Sequence, residues 1–184
     1  MISALLLCTM LLQASPQTAL KPLIDNERVT VWEVTSSPVM QPADAVIVSL
    51  SGEAEFVAKG AKPKIVGDRL IVIDLKDHPP DPILNTTRYP LAFPRAGSKK
   101  VFENERVIVW DFTWTPGVAT AMHFHDKDAV IVMLEDGDLQ STTADGHVDL
   151  YPYKPGTVRF GARGRIHTET LVRGQQRAIV TELK

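Results

Sequence analysis

Three segments of this chain occur twice, and that self-similarity constrains the fold more than any single motif does. DNERVTVWEVT at residues 25–35 returns as ENERVIVWDFT at 103–113, DAVIV at 44–48 returns unchanged at 128–132, and RLIVIDLK at 69–76 returns as RAIVTELK at 177–184. The blocks are short and rich in β-branched and aromatic residues, so they read as strands. Their offsets are 78, 84 and 108 residues, which means that the first copy has lost material in two places. Between the first two blocks it carries SSPVMQPA where the second copy carries WTPGVATAMHFHDK, and the missing positions include a His-x-His. The larger loss, after DAVIV, removes the counterpart of the segment that contains His167.

The rest of the second copy also predicts strands. Residues 107–112, 129–134, 138–143, 147–153, 157–160, 166–172 and 178–183 are separated by Pro116-Gly117, Asp136-Gly137, Asp145-Gly146 and Pro155-Gly156. Asp-Gly pairs favour tight hairpins, so both of them are expected to be hairpin turns. No segment shows a helical stripe, and many short strands with Gly and Pro punctuation predict an all-β antiparallel barrel or sandwich.

His123 and His125 are one residue apart. Side chains alternate along a strand, so this spacing puts both imidazoles on one face there and would splay them on a helix. Between Pro116-Gly117 and Asp136-Gly137 the pair reads as a candidate metal site.

These residues resemble the first motif of the cupins: Gly, five residues, His-x-His, three or four residues, Glu, six residues, Gly. Gly117, His123, His125 and Gly137 match it. The second cupin motif, a turn leading to a third His, is matched loosely by FGARGRIH at 160–167. The resemblance implies a cupin-type double-stranded β-helix, or jelly roll, duplicated with a reduced first half. It also implies that His167 completes a three-nitrogen metal site with His123 and His125. The Glu of the motif would fall at Ala129 or Val130, neither of which binds a metal. Some cupins, the thiol dioxygenases among them, likewise use three His without Glu. Imidazole suits Fe, Mn, Zn, Ni or Cu, and three protein ligands leave positions open for a substrate.

A divalent ion held by neutral imidazoles keeps its full charge and favours an anionic ligand. Arg159, Arg163 and Arg165 lie around His167 and are candidates for clamping a carboxylate or phosphate. Glu169 is a candidate general acid or base if its strand alternates regularly. Asp126 and Asp128 could stand in as ligands or support one, although Asp128 has its repeat mate in Asp44, which has no His neighbours. Trp110, Trp114 and Phe124 read as core, Trp32 being the repeat mate of Trp110, while His78 and His147 read as exposed. The function implied is a metal-dependent, dioxygenase-like oxidoreductase acting on a small anionic substrate. The alternatives are a non-catalytic ligand- or metal-binding module and a metal-dependent isomerase.

Composition bounds the partners. With 44% hydrophobic and 23% charged residues and a formal net charge of −2, the chain gives no reason to expect nucleic acid or an anionic membrane. Residues 1–20 carry no charge and hold an apolar run too short to span a bilayer, which predicts a signal peptide and a secreted or periplasmic protein. The single cysteine, Cys8, lies in that stretch and excludes an intrachain disulfide framework. Residues 21–76 then form a degenerate cupin-like half, 77–98 a Pro-rich connection expected to run along the barrel surface, and 99–184 the metal-binding domain. Cupins often dimerise, so a homodimer is expected.

Overall fold

In the computed structural model, which describes residues 21–36 and 40–184, every regular element is a strand. The expected signal peptide lies outside the described residues. The first copy supplies β1 (Ile24–Asp25), β2 (Val29–Val34), β3 (Ala45–Ser49), β4 (Ala54–Val57) and β5 (Leu70–Leu75). The second supplies β6 (Ser98–Glu103), β7 (Val107–Thr113), β8 (His123–Phe124), β9 (Asp128–Met133), β10 (Gly137–Thr143), β11 (Val148–Tyr153), β12 (Val158–Gly161), β13 (Ile166–Gly174) and β14 (Arg177–Leu183).

The repeat is visible in the topology. One five-stranded sheet runs β1-β2-β5-β3-β4 and the other runs β6-β7-β14-β9-β12, so each strand of the first has a mate in the second. Three mated pairs are the repeated blocks. A fourth, β4 with β12, carries the fainter match of AEFVAKG at 54–60 to VRFGARG at 158–164. In both copies the aspartate of DAVIV accepts a backbone N–H from the turn after this strand. Asp44 Oδ1 is 2.8 Å from Lys59 N, and Asp128 Oδ1 is 3.0 Å from Arg163 N. A tryptophan also donates to a carboxylate of the last block in each copy, Trp32 to Asp74 and Trp110 to Glu182, both at 2.8 Å. Burial pushes both carboxyl groups up, opposed by the indole hydrogen bond.

The mated sheets pack face to face. Val29, Val31, Val46, Val48, Ile71 and Ile73 meet Val107, Val109, Val130, Val132 and Ile179, all 0% exposed, in one continuous seam. Each sheet thereby buries a face the other needs, with each Val or Ile contributing about 1.5–3 kcal/mol. Reciprocal ion pairs flank the seam: Arg28 of the first copy lies 3.3 Å from Asp128, and its mate Arg106 lies 3.0 Å from Asp44.

A smaller sheet, ordered β11-β10-β13-β8, closes over the other face of the β6–β12 sheet to form the barrel. Inside lie Phe112, Trp114, Ala129, Met133, Leu139, Tyr153, Leu171 and Val180. No sheet of the first copy corresponds to it among the described residues. There Ala61 and Ile65 pack instead on Ala45, Ile47, Val57, Leu70 and Val72.

Two local expectations change. Asp145-Gly146 does close the β10–β11 hairpin, with Gly146 at φ +89°. Asp136-Gly137 is not a hairpin turn, because β9 and β10 belong to different sheets and the chain crosses from one wall of the barrel to the other. Gly137 is required there by space, since a Cβ would sit 2.6 Å from the carbonyl oxygen of Gln175. The Pro-rich connection keeps to the surface over residues 77–91, and its end turns inward. Residues 90–92 hydrogen-bond alongside β8, with Phe124 N 2.8 Å from Pro90 O and Ala92 N 2.8 Å from Phe124 O. This turns Phe93 inward, where its ring stacks on Trp110 at 5.4 Å, and carries Arg95 into the barrel.

Candidate metal centre

The three histidines converge. His123 on β8 and His167 on β13 are direct cross-strand partners, so their side chains leave the sheet at neighbouring points on one face. His125 follows just beyond β8, where its N–H donates to Arg165 O at 3.0 Å and its carbonyl accepts from Gly164 N at 2.7 Å. The ring centroids are separated by 4.6, 5.0 and 5.1 Å, and one nitrogen from each ring lies within 4.8 Å of the others.

The donor set fits a metal. His123 Nδ1 is 2.7 Å from the carbonyl of Ala121, which can only accept, so Nδ1 carries the proton and Nε2 the lone pair. His167 Nδ1 is 3.0 Å from Ser141 Oγ, which also accepts from Arg165 Nη2 at 2.9 Å. Ser141 can accept from both, leaving the lone pair of His167 on Nε2, as supporting partners of a metal-bound imidazole commonly do. His125 Nε2 and His167 Nε2 face each other at 2.9 Å. Two imidazole nitrogens stand that close only around a shared proton or ion, and adjacent ligands about 2.1 Å from one octahedral ion would be about 3 Å apart.

All three rings are neutral at ordinary pH. Burial is the first cause, holding His123 down to about 4 and His125 and His167 down to about 2, with Arg95 and Arg165 adding positive charge. Deprotonated imidazoles are what a metal requires. A stability consequence follows for the metal-free protein. The folded values lie below the unfolded value of about 6.5, so the unfolded chain takes up more protons. Stability present above about pH 6.5 is therefore lost as the pH falls toward 4 for His123 and toward 2 for His125 and His167. From pH 7 to pH 5 the loss should reach up to about 2 kcal/mol per histidine. Urea unfolding at the two pH values should show a smaller loss in a His125→Gln/His167→Gln double variant, and equal losses would contradict this origin.

A cavity of about 60 Å³ opens beside the histidines, lined by His125 and His167 with Arg95, Trp114, Ala129, Tyr153, Arg159, Arg165 and Glu169. The facing of the strand decides which position corresponds to the motif's Glu: Ala129 lines this cavity, while Val130 points into the seam. Asp126 pairs with Lys127 and Asp128 with Arg28, so neither joins the histidines. Arg159 reaches the cavity, lying 4.1 Å over the Tyr151 ring and donating to the Tyr153 hydroxyl. Arg165 reaches it through Ser141. Arg163 turns away and donates to the backbone carbonyl of Asp81 in the connection. Glu169 shares the facing of His167, and its Oε2 accepts from Arg95 Nη2 and Trp114 Nε1, each at 3.2 Å. His78 and His147 are exposed.

Sequence reasoning missed Arg95. Its guanidinium nitrogen Nη1 lies over the His123 ring, 2.7 Å from Nε2 and 3.1 Å from Nδ1, off the axis of the in-plane Nε2 lone pair. It lies 4.1 Å from the Phe112 ring centroid and 4.8 Å from that of Phe93. The only hint in the sequence was the apolar run Leu91-Ala92-Phe93 just before it.

Among known proteins, no family model and no curated protein matches this chain. Solved structures do. A cupin domain from Bordetella pertussis Tohama I matches at 24% identity and TM-score 0.44, over 53% of this chain and 98% of its own. A cupin 2 conserved barrel domain protein from Leptotrichia buccalis matches at 12% identity and TM-score 0.46, over 94% of this chain and 93% of its own. A cupin superfamily protein from Desulfitobacterium hafniense DCB-2 matches at 19% identity and TM-score 0.38, over 47% of this chain and 74% of its own. The strand order, the paired sheets and the closing β11-β10-β13-β8 sheet make the second half of this chain a double-sheet antiparallel barrel, the fold that the resemblance to the cupins implies, joined to a reduced copy of itself and carrying a three-histidine group able to hold a metal ion.

Proposed function

We propose that His123, His125 and His167 hold a divalent ion, from among Fe, Mn, Zn, Ni and Cu, and that the protein is a metal-dependent, dioxygenase-like oxidoreductase acting on a small anionic substrate. The observation that carries this reading is the convergence of three neutral imidazoles on a cavity whose other charged lining is three guanidinium groups and one carboxylate. A bound redox metal would supply Lewis acidity and one-electron chemistry. The chain's own residues do the rest. Trp114, Tyr153, Met133 and Phe93 exclude water, while Arg159 and Arg165, which donate to the neutral hydroxyl oxygens of Tyr153 and Ser141, supply charge toward an anion.

The experiment is oxygen uptake by protein loaded anaerobically with Fe(II), supplied with a panel of small carboxylic acids and thiols. Uptake that needs both metal and acid and disappears in His125→Ala supports the reading. Uptake unchanged in that variant contradicts it. One observation favours a second reading, a module that binds without turnover: Glu169, the one carboxylate among the residues lining the cavity, is held through its Oε2 by Arg95 and Trp114. Stoichiometric metal and tight acid binding without consumption of oxygen or acid would select it.

A further inference from the structure

We propose that Arg95 is the residue that receives the carboxylate of the ligand, and that the site therefore selects small carboxylic acids over other small molecules. This rests on the reading of the histidines as a metal site. Arg95 lines the cavity beside His123, its Nη1 lying over that ring at 2.7 Å from Nε2 and 3.1 Å from Nδ1. That position leaves the in-plane lone pair of Nε2 to a metal ion, and among the described residues Nη1 has no oxygen acceptor. Nε of Arg95 is buried and has none. Nη2 is held by Glu169, and the plane is held between Phe93 and Phe112, so the guanidinium cannot leave to be solvated. Its side chain is only 14% exposed.

The loaded site thus contains a fixed cation with unpaired N–H donors, beside an ion with open positions. Buried donors without acceptors are costly. A planar, two-oxygen anion can take Nη1 together with the second N–H of Nη2, the end-on fork that matches carboxylate geometry. Arg159 and Arg165 have no carboxylate partner among the described residues, so the local charge also favours an anion. The origin of Arg95 is consistent with a ligand role. It comes from the connection between the copies, outside every repeated block, and the first copy has neither the histidines nor an equivalent of it among the described residues.

The test loads wild type, Arg95→Met and Arg95→Lys with cobalt(II), follows metal affinity, and then titrates each loaded protein with acetate and, separately, with inorganic phosphate by visible absorption. Arg95→Met should bind cobalt at least as tightly as wild type, because a positive charge beside the three imidazoles is gone. It should bind acetate roughly 10- to 100-fold more weakly. Arg95→Lys, which keeps the charge and the stem, should recover only part of that loss. A purely structural Arg95 would instead lower cobalt and acetate affinity together, and that result overturns the assignment. So does unchanged acetate affinity in Arg95→Met, or phosphate binding that depends on Arg95 as strongly as acetate does. If Arg95→Met does not fold, Arg95→Lys decides: acetate affinity equal to wild type overturns the proposal. If wild type takes up no cobalt, the metal reading itself fails and the assignment falls with it, an outcome distinct from a loaded protein indifferent to Arg95.

Discussion

Replacing Ile179 by aspartate should leave no stably folded protein, in either half of the chain. Ile179 is 0% exposed and sits on β14, the central strand of its sheet, within the seam where the two mated sheets meet. A carboxylate there has no partner and must be desolvated or protonated, a cost of several kcal/mol that comes on top of the lost packing. That sum approaches the roughly 5–15 kcal/mol by which a domain is stable. Ile179→Val, which removes one methylene, should cost about 0.5–1.5 kcal/mol and serve as the control. The seam is built from both copies, so loss of one sheet exposes the other. Hydrogen exchange in milder seam variants should show β5 and β14 losing protection together. Protection retained in β14 while β5 exchanges freely would show that the halves are independent.

The second large effect is expected at the ion pairs beside that seam, and it should be unequal between mates. Arg28 and Asp128 are 11% and 9% exposed, whereas Arg106 and Asp44 are 32% and 29% exposed. The Arg28 Nε to Asp128 contact of 3.3 Å is electrostatic; Nε makes no aligned hydrogen bond, and burial holds the Arg28 pKa down against the pull of Asp128. Arg28→Met keeps the stem but leaves Asp128 buried with only the backbone N–H of Arg163, so about 3 kcal/mol should be lost. Arg106→Met, with better-solvated partners, should cost about 1 kcal/mol or less. Adding Asp128→Asn to Arg28→Met should restore much of the loss, because the stranded charge is what costs. Equal urea midpoints for the two arginine variants would contradict this account.

Much of the architecture was legible because it is written twice. Short blocks rich in β-branched and aromatic residues give strands, and their repetition gives two mated sheets that bury each other. The pair β4 and β12 was harder to see, since AEFVAKG and VRFGARG share only Phe, Ala and Gly positions. The Asp136-Gly137 turn misled because the same dipeptide serves a hairpin or a close backbone approach, and only the neighbouring β13–β14 turn at Gln175 distinguishes them. The histidine triangle was legible from His-x-His and a resemblance. The guanidinium beside it was not, because Arg95 reaches the site through the pairing of residues 90–92 beside β8, a long-range contact with no periodic signal. Proline density argued for an exterior path, which residues 77–91 keep and the burial of Ala92 and Phe93 ends. Likewise Arg163 and Arg165 are two residues apart but diverge, because Arg163 belongs to the repeated turn and Arg165 begins the β13 segment.

The most direct measurement is elemental analysis of protein purified without an affinity tag, beside a His123→Ala/His125→Ala variant shown by circular dichroism to be folded. The account predicts close to one divalent ion per chain in the wild type and almost none in the variant. A folded wild type that carries no metal and takes none up on titration, or a variant that retains its metal, would contradict it.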